Sequence, residues 1–451
     1  MASNGVVKIK KGFDINLAGS AAKEVEQLPV SELVALKPTD FLDLFPKLMV
    51  EPGDEVKAGD PIFYSKDREE LKFTSPVSGE VVEVVRGAKR KMLEVRILAD
   101  KDIKYKDFSD LTSRELTKDN VTEALMESGA WHFIRQRPYS IIADRSEEPK
   151  AIFISGFDTS PLAPDVHFTI KDNAKDFQKG IEVLQAYGVP VHLSLKSGGS
   201  NDVFENVSGV EKHYFDGPHP AGNVGVQVHH IDPIKDRSEL IWYVAPQDVV
   251  IIGKLFNEGK YIPERIVPLT GSEVKSPKYY KALVGTALKG MLEGNLEEEG
   301  NKRIILGNAL IGSKTSKDGF LGFYDTHITV LPEGDDMEFL GWLLPGFGKL
   351  SLSRTFFSWI MKKDEYVLDT NNNGEERNFV VTGEYDKVLP MNIYPVQLLK
   401  AIMARDFELM EQLGIYEVSE EDLALCEFVC TSKIPVQRIV AEGLEVMRKE
   451  G

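Results

Sequence analysis

Four of the eight histidines in this 451-residue sequence surround one glycine-rich stretch, 217–225. They are His213, His219, His229 and His230. Imidazoles can bind a metal ion, but the adjacent His229 and His230 would point to opposite faces of a strand, so we predict no metal site. Backbone N–H groups of a glycine-rich loop can bind phosphate or flavin. The spacing matches neither the dinucleotide nor the Walker A pattern, and Pro218 and Pro220 lack N–H donors, which favours a rigid loop anchored by hydrogen bonds.

A second candidate stretch, Phe157–Asp165, follows the apolar run Ala151–Ser155, which predicts a buried strand. Proteins with parallel sheets bind ligands at the carboxyl ends of their strands. Asp158 and Asp165 are therefore candidates for polar contacts to a ligand. No Ser-His-Asp set and no pair of acids with recognisable spacing accompanies them, so we predict no catalytic residue.

The two cysteines, Cys426 and Cys430, are four residues apart in a helical pattern, which places both thiols on one helix face. An iron–sulfur cluster needs about four thiolates. We therefore expect packed, reduced cysteines and no cofactor or metal bound by this chain. So few cysteines also indicate a reducing compartment.

Several domains must position these residues, because the chain exceeds the usual length of one domain. Residues 1–107 contain short alternating runs bounded by Pro-Gly, Gly-Asp and Ser-Gly, which predicts β-hairpins. Within them, 40–98 predicts a small flattened barrel that resembles a biotinyl or lipoyl carrier. Its hairpin tip holds Lys66 and Lys72 without the surroundings that modifying enzymes recognise, so we expect the carrier fold without the carrier function.

Residues 108–257 form the second unit, in which apolar runs alternate with helical periodicity. Lys175–Gly188 predicts a helix, Val189–Leu195 predicts a strand, and Val249–Gly253 is a further apolar run. Alternation of strands and helices predicts a three-layer α/β unit with a parallel sheet.

The third unit, 258–334, predicts a small mixed sheet with one helix at Ala282–Leu292. The last unit, 335–451, begins with an aromatic segment and ends in two or three helices. The whole chain is therefore expected to be a multidomain protein of mixed α/β and α+β class.

The composition excludes several classes of partner. The net charge is −17, from 71 acidic and 54 basic residues, which argues against nucleic acid and against adsorption to anionic lipid by charge alone. Residues 1–11 have no apolar core of a signal peptide, and the apolar stretch 339–348 is far shorter than the roughly 20 residues of a membrane helix. We predict a protein without a membrane span, either cytoplasmic or held at that side of a membrane by another protein.

Segments in the same order along the chain resemble the A subunits (NqrA) of the Na⁺-translocating NADH:quinone reductases. They are Val7–Gly19, Phe157–Asp165, Gly217–Gly222 with His229–Pro233, and Glu421–Cys430. The resemblance covers nearly the whole chain. It implies a biotinyl/lipoyl-like barrel-sandwich, a Rossmann-like α/β domain, a β-grasp domain of the soluble-ligand-binding type and a C-terminal helical domain.

The resemblance also implies a function: a peripheral, cofactor-free component of a six-subunit respiratory pump that couples electron transfer from NADH to quinone with Na⁺ export. Such a component lies at the cytoplasmic face of the bacterial inner membrane and is inactive when isolated. FMN, FAD, riboflavin and iron–sulfur centres are then expected in the membrane and flavoprotein partner subunits.

An alternative is a flavin- and NADH-binding dehydrogenase, because the domain order also resembles the flavin-bearing subunit of respiratory complex I and the C subunit of the Rnf complex. Those relatives hold flavin with a Gly-x-Gly-x-x-Gly-Arg-Gly loop and iron–sulfur clusters with four cysteines, and this sequence has neither. A third possibility, a biotin- or lipoyl-carrying module, requires a modified Lys66 or Lys72.

Two sets of residues are predicted to contact other molecules. Quinone sites are concave and largely apolar with a few polar groups, so ubiquinone or menaquinone is a possible ligand of the loops at the open end of the α/β sheet. The residues predicted to contact a quinone or a partner are Phe157, Asp158, Asp165, Gly217, His219, Gly222 and His229. The aromatic segment has neither strand nor helix periodicity, and aromatic side chains dominate binding energy at interfaces, which predicts docking onto the membrane subunits. The predicted docking residues are Trp342, Phe347, Phe357 and Trp359.

Overall fold

Four β-sheets organise the chain in a computed structural model that describes residues 5–200, 202–335, 341, 344–361 and 363–450. The strands are, in chain order, β1 (Val7–Lys8), β2 (Ala22–Gln27), β3 (Leu33–Leu36), β4 (Pro46–Leu48), β5 (Glu55–Val56), β6 (Pro61–Ser65), β7 (Arg68–Thr74), β8 (Gly79–Arg86), β9 (Met92–Ala99), β10 (Arg135–Arg137), β11 (Ile141–Ile142), β12 (Ala151–Ser155), β13 (Val191–Lys196), β14 (Glu211–Asp216), β15 (Ile241–Tyr243), β16 (Glu264–Thr270), β17 (Lys278–Leu283), β18 (Lys302–Leu306), β19 (Ser313–Thr315) and β20 (Ile328–Pro332).

The α-helices cluster in the middle and at the end of the chain. They are α1 (Ser109–Thr112), α2 (Lys118–Ser128), α3 (Val166–Ile170), α4 (Ala174–Gln185), α5 (Asp202–Glu205), α6 (Val224–Ile231), α7 (Pro246–Glu258), α8 (Lys289–Leu292), α9 (Tyr385–Val388), α10 (Pro395–Ala404), α11 (Phe407–Gln412), α12 (Ala424–Val429) and α13 (Val436–Glu450). Among the described residues, none of these helices combines the length and the apolar character that crossing a membrane requires.

A seven-stranded sheet forms the middle of the chain, in the order β1-β14-β13-β12-β15-β10-β11. The first five strands of this order are parallel, whereas β10 runs antiparallel to both β15 and β11. β12 coincides with the predicted strand Ala151–Ser155, and its apolar residues are buried. Burial on both faces removes the alternation of polar and apolar residues, which is why this strand reads as a continuous apolar run.

Helices α4 and α7 pack closely against each other beside this sheet. Gly180 and Gly253 permit the close approach: a Cβ on Gly253 would lie 1.7 Å from the carbonyl oxygen of Asp176, and one on Gly180 would lie 2.1 Å from that of Val249. The helix predicted at Lys175–Gly188 is confirmed as α4. The apolar run Val249–Gly253 lies in α7, where it is buried throughout, so burial on every side hides the helical period.

The two smallest sheets, β3-β9-β8-β5 and β4-β6-β7, share one core near the N-terminus. Phe63, Phe73, Val81 and Ile97 are almost completely buried in it. This arrangement agrees with the small flattened barrel predicted for 40–98. The predicted hairpin tip is the turn between β6 and β7.

The first strands of the chain belong to other sheets than the rest of 1–107. β1 pairs in parallel with β14 of the seven-stranded sheet, and β2 pairs in parallel with β17 of the six-stranded sheet. The sequence predicted residues 1–107 as one unit. In the structure, β1 and β2 pair with the larger sheets, and the strands of the two small sheets begin at β3. Turn residues do not reveal this pairing, because β14 and β17 offer unpaired backbone groups to β1 and β2 from far along the chain.

The six-stranded sheet has the order β19-β18-β20-β16-β17-β2. The helix predicted over Ala282–Leu292 is wrong in extent, because β17 continues to Leu283 and only Lys289–Leu292 is helical. Gly285 separates the two with a positive φ of 80°, and a Cβ there would lie 2.4 Å from the carbonyl oxygen of Ala35. A short apolar run fits a strand and a helix equally well until its pairing is known.

The C-terminal helices pack against α6 and β14 rather than forming a separate core. Their apolar residues share one cluster with the sheet, as Leu398, Leu423 and Val440 join Phe215 and Val226. In α13 the buried positions recur every three or four residues, as an amphipathic helix requires.

Candidate functional site

The loops that follow β12 and β14 lie at the carboxyl ends of two parallel strands, on either side of β13. Residues 156–165 and 217–223 form what we term the loop cluster. The backbone N–H of Gly222 donates to Oγ1 of Thr159 at 2.9 Å, and this oxygen lies 3.1 Å from Nδ1 of His219. Both stretches that the sequence singled out therefore meet at one edge of the sheet.

Glycine is required where these loops touch. A Cβ on Gly222 would lie 2.7 Å from the backbone nitrogen of Thr159 and 3.0 Å from Cα of Asp158. Oγ of Ser155, the last residue of β12, lies 2.8 Å from the carbonyl oxygen of Phe157 and 3.0 Å from that of Gly222, and its single proton is shared between them. The loop cluster is thus held by close backbone contacts and by hydrogen bonds between the backbone and the side chains of Ser155 and Thr159.

His219 lies at the centre of the loop cluster and is 4% exposed. Its backbone N–H donates to Oδ1 of Asp14 at 2.8 Å, and its carbonyl oxygen accepts from the N–H of Phe13 at 2.8 Å, so the N-terminal segment anchors the loop. Burial lowers the pKa of the imidazole, opposed by the charges of Asp158 and Asp14, so His219 is neutral at pH 7. A neutral imidazole supplies one hydrogen-bond donor and one acceptor. Phe157 is also buried, at 8% exposed.

Two other predicted contact residues have structural partners near the loop cluster. Asp165 accepts a hydrogen bond from the N–H of Phe168 at 2.9 Å as the N-cap of α3, and its carboxylate lies 2.5 Å from Nζ of Lys23. Gly217 has a φ of 149°, and a Cβ there would lie 2.3 Å from the carbonyl oxygen of Ile9. Both residues therefore shape the loops through these contacts.

His229 lies apart from His219, at the end of α6. Its Nδ1 donates to Oε1 of Glu417 at 2.9 Å, and its Nε2 accepts from the backbone N–H of Asn392 at 3.0 Å. These two bonds use both ring nitrogens. His229 thus joins α6 to the C-terminal helices.

A buried ionic network that sequence reasoning did not find joins the sheet to the C-terminal helices. Arg137, at the end of β10, donates to Oδ2 of Asp422 at 2.6 Å, to Oε1 of Glu421 at 2.5 Å and to Oγ of Ser419 at 2.8 Å. The guanidinium is buried, which alone would lower its pKa, but Asp422 and Glu421 outweigh this and raise it. A Cβ on Gly225 would lie 2.3 Å from Nη1 of Arg137. No local signal indicates this contact, because 285 positions separate Arg137 from Asp422.

The predicted docking residues that the structure describes are exposed. Phe347 is 47%, Phe357 52% and Trp359 46% exposed, and the rings of Phe347 and Phe357 lie 6.1 Å apart in a T-shaped arrangement. Trp342 lies outside the described residues. We term residues 344–361 the aromatic segment.

A cavity of about 630 Å³ lies beside the aromatic segment. Leu350 and Phe356 of that segment line one part, and Phe428 and Cys430 line another. None of the residues predicted to contact a quinone lines this cavity.

The two lysines assigned to the hairpin tip, Lys66 and Lys72, differ in their contacts. Lys66 is exposed in the turn between β6 and β7, whereas Nζ of Lys72 lies 2.8 Å from Oε1 of Glu127. Both cysteines are free thiols and buried: Cys426 lies in α12, and Cys430 directly follows that helix. Burial raises the pKa of the Cys426 thiol, so it stays protonated at neutral pH.

The histidines near the glycine-rich stretch do not form one group. His219 and His229 have the partners given above, and Nε2 of His230 donates to the carbonyl oxygen of Pro390 at 3.0 Å. His213 instead faces His192 of β13, with 3.0 Å between Nε2 of His213 and Nδ1 of His192. No spacing along the chain singles out His192, because spacing does not show which strands are neighbours.

Comparisons with known proteins agree along the whole chain. Family models match in three parts: an NqrA N-terminal barrel-sandwich hybrid domain over residues 7–100, an NqrA second alpha/beta domain over 116–261 and an NqrA C-terminal domain over 266–317. The A subunit of the Na(+)-translocating NADH-quinone reductase of Rhodopirellula baltica is 35% identical, covering 100% of this chain and 99% of its own. The proteins of the same name from Photorhabdus laumondii and Vibrio atlanticus are each 34% identical, covering 99% of this chain and 100% of their own.

A comparison of folds finds an air-oxidized NAD⁺-reducing NiFe-hydrogenase, with 9% sequence identity and a TM-score of 0.38. The alignment covers 76% of this chain and 64% of that one. A likeness this weak supports no inference about function.

Proposed function

This chain belongs to the NqrA family, and on that premise we propose that it is the peripheral A component of a sodium-pumping NADH:quinone reductase and acts in assembly of the complex. Its relatives are named as that component of the sodium-translocating reductase, which disfavours a flavin- and NADH-binding dehydrogenase. In this proposal FMN, FAD, riboflavin and iron–sulfur centres lie in the membrane and flavoprotein subunits, and the chain sits at the cytoplasmic face of the inner membrane.

The observation that carries the assembly role is the exposure of the aromatic segment. Besides the aromatic rings, Leu344 is 49%, Ile360 62% and Met361 64% exposed. Fully burying a large apolar side chain contributes about 1.5–3 kcal/mol, so a run of such side chains favours a protein partner. We propose that this segment docks onto the membrane subunits.

The charge of the region supports the same role. In a chain with a net charge of −17, the aromatic segment contains two basic residues, Lys349 and Arg354, and no acidic residue. The guanidinium of Arg354 lies 5.8 Å from the ring centre of Trp359, and the ammonium of Lys349 lies 5.8 Å from that of Phe356. Apolar rings beside positive charges fit a partner surface that is apolar with an acidic rim.

The docking proposal is tested by complex retention. We expect Phe357→Ala and Trp359→Ala each to reduce the copurification of membrane subunits at least tenfold, because each removes an exposed aromatic anchor. Phe45→Ala is the matched control, because Phe45 is a comparably exposed phenylalanine, at 60%, that lies about 300 positions before the aromatic segment, next to β4. Circular dichroism of the free chain should be unchanged in all three variants. Unchanged retention, or unfolding of the free variants, would show that these residues do not dock.

We also propose that the loop cluster contributes to a quinone site. The neutral His219 beside Thr159 offers hydrogen-bonding groups for a quinone carbonyl, at the carboxyl ends of parallel strands. His219→Ala should lower labelling of this chain by a photoreactive quinone analogue, whereas His230→Ala should not. Labelling confined to the other subunits of the wild-type complex would refute this contribution.

The finer fold assignments belong to the same proposal. The parallel strands with α4 and α7 support a Rossmann-like domain, the mixed six-stranded sheet supports a β-grasp domain, and α9 to α13 support a helical domain. The relation to the flavin-bearing subunit of complex I, like that to the Rnf C subunit, stays a prediction.

A further inference from the structure

Two histidines and a glutamate meet near the amino ends of β13 and β14, at the opposite end of the sheet from the loop cluster. His192 of β13 pairs with Glu211 of β14, and Ser194 pairs with His213, in parallel register. Residues two apart on a strand point to the same face, so Glu211 and His213 both lie beside His192. Nδ1 of His192 lies 3.0 Å from Nε2 of His213 and 3.6 Å from Oε2 of Glu211.

These distances match the spacing of metal ligands. Zinc binds imidazole nitrogen and carboxylate oxygen at about 2.0–2.2 Å, so two ligand atoms in a tetrahedral site are about 3.3–3.5 Å apart. The two measured separations bracket that spacing, and all three ligand atoms lie within 4.8 Å of one another. Rotation of the exposed Glu211 side chain would bring its carboxylate to the same spacing from His213.

The surroundings support ligation by both histidines. The ring of His192 lies 4.8 Å from that of Phe153 on the next strand, which holds its orientation. Burial lowers the pKa of His192 and of His213, so both rings are neutral at pH 7 and each keeps a lone pair. Glu211 is exposed, with 62% of its side chain accessible, which leaves room for water to occupy the remaining coordination positions.

We propose that His192, Glu211 and His213 form a binding site for a divalent transition-metal ion such as Zn²⁺. Two imidazoles and one carboxylate suit zinc and its neighbours, whereas Mg²⁺ and Ca²⁺ prefer oxygen ligands alone. A bound ion joins β13 to β14 and so stabilises this edge of the sheet. This role differs from the docking and quinone contacts and does not depend on them.

The test uses the untagged full-length chain after removal of metals with a chelator. We expect one equivalent of Zn²⁺ to bind in isothermal titration, and one equivalent of Co²⁺ to give the visible absorption of a tetrahedral complex. Mg²⁺ should not compete. Zinc should also raise the melting temperature of the wild-type chain.

The variants separate this site from incidental binding. His192→Gln and His213→Gln should each weaken Zn²⁺ binding at least tenfold, and Glu211→Gln at least threefold, while His230→Gln leaves it unchanged. Because Glu211 is exposed, its variant keeps the fold even where a histidine variant does not. The proposal is overturned if the wild type binds no Zn²⁺, or if Glu211→Gln and the folded histidine variants bind it as the wild type does.

Discussion

Replacing Arg137 with methionine should destabilise the chain far more than breaking an ion pair at its surface. The guanidinium is 1% exposed and contacts Asp422, whose side chain is completely buried, and Glu421, which is one-third exposed. Methionine fills a similar volume but leaves the carboxylate of Asp422 buried without its countercharge. Removing one partner of a buried pair costs about 3–5 kcal/mol. We expect a loss of that size in the free energy of unfolding.

A double variant isolates the cause. In Arg137→Met/Asp422→Leu the buried pair is replaced by apolar groups, so part of the lost stability should return. Glu421 and Ser419 still lose their bonds to these two residues, which limits the recovery. The control is Arg114→Met, because Arg114 lies 2.7 Å from Glu123 with both side chains about half exposed, and such a pair contributes about 0–1 kcal/mol.

Urea denaturation followed by circular dichroism measures the three variants, and hydrogen exchange in α12 and α13 reports whether the C-terminal helices loosen first. The reasoning is refuted if Arg137→Met costs no more than Arg114→Met, or if the double variant is less stable than the single one.

Three further predictions concern buried groups. Gly225→Val should cost about 1–3 kcal/mol in urea denaturation, because its Cβ would overlap Arg137. Gly290→Ala should cost nothing or stabilise by up to about 1 kcal/mol, because Gly290 lies in α8 with nothing within 4 Å. Burial lowers the pKa of His132 from 6.5 to about 4, so the stability due to its neutral form is complete above pH 6.5 and is lost as the pH falls toward 4. Between pH 7 and pH 5 we expect a loss of about 2 kcal/mol, which His132→Gln should not show. Cys426 should resist alkylation at pH 8 in the native chain and react once urea unfolds it; rapid native labelling would contradict its burial.

Local sequence patterns correctly predict the strands, helices and turns that are determined by residues close to one another in the sequence. The apolar run Ala151–Ser155 correctly indicates a strand, and the periodicity and final glycine of Lys175–Gly188 correctly indicate a helix. The turn between β6 and β7 is also recognisable, because turn residues act within a few positions. The exposure of Phe357 and Trp359 agrees with the absence of a regular inward-facing period in their segment.

Patterns fail where the partner of a segment lies far along the chain. β1 and β2 pair with strands that follow more than 200 residues later, and β17 ends two residues before Gly285, which meets the backbone of Ala35. Short segments fit strand and helix equally well, so their state depends on which surface they meet.

The sequence by itself determined the class of the chain, its order of β and α/β units, its family resemblance and the two loop stretches, 157–165 and 217–225, that were singled out as candidates. Each of these depends on residue types and short spacings, which a sequence displays directly. Only the tertiary structure decided that Arg137 pairs with Asp422 and that His192 faces His213. The physical reason is that strand order and helix packing bring distant residues together, and the energy of a charge or a ligand set depends on that proximity and on burial.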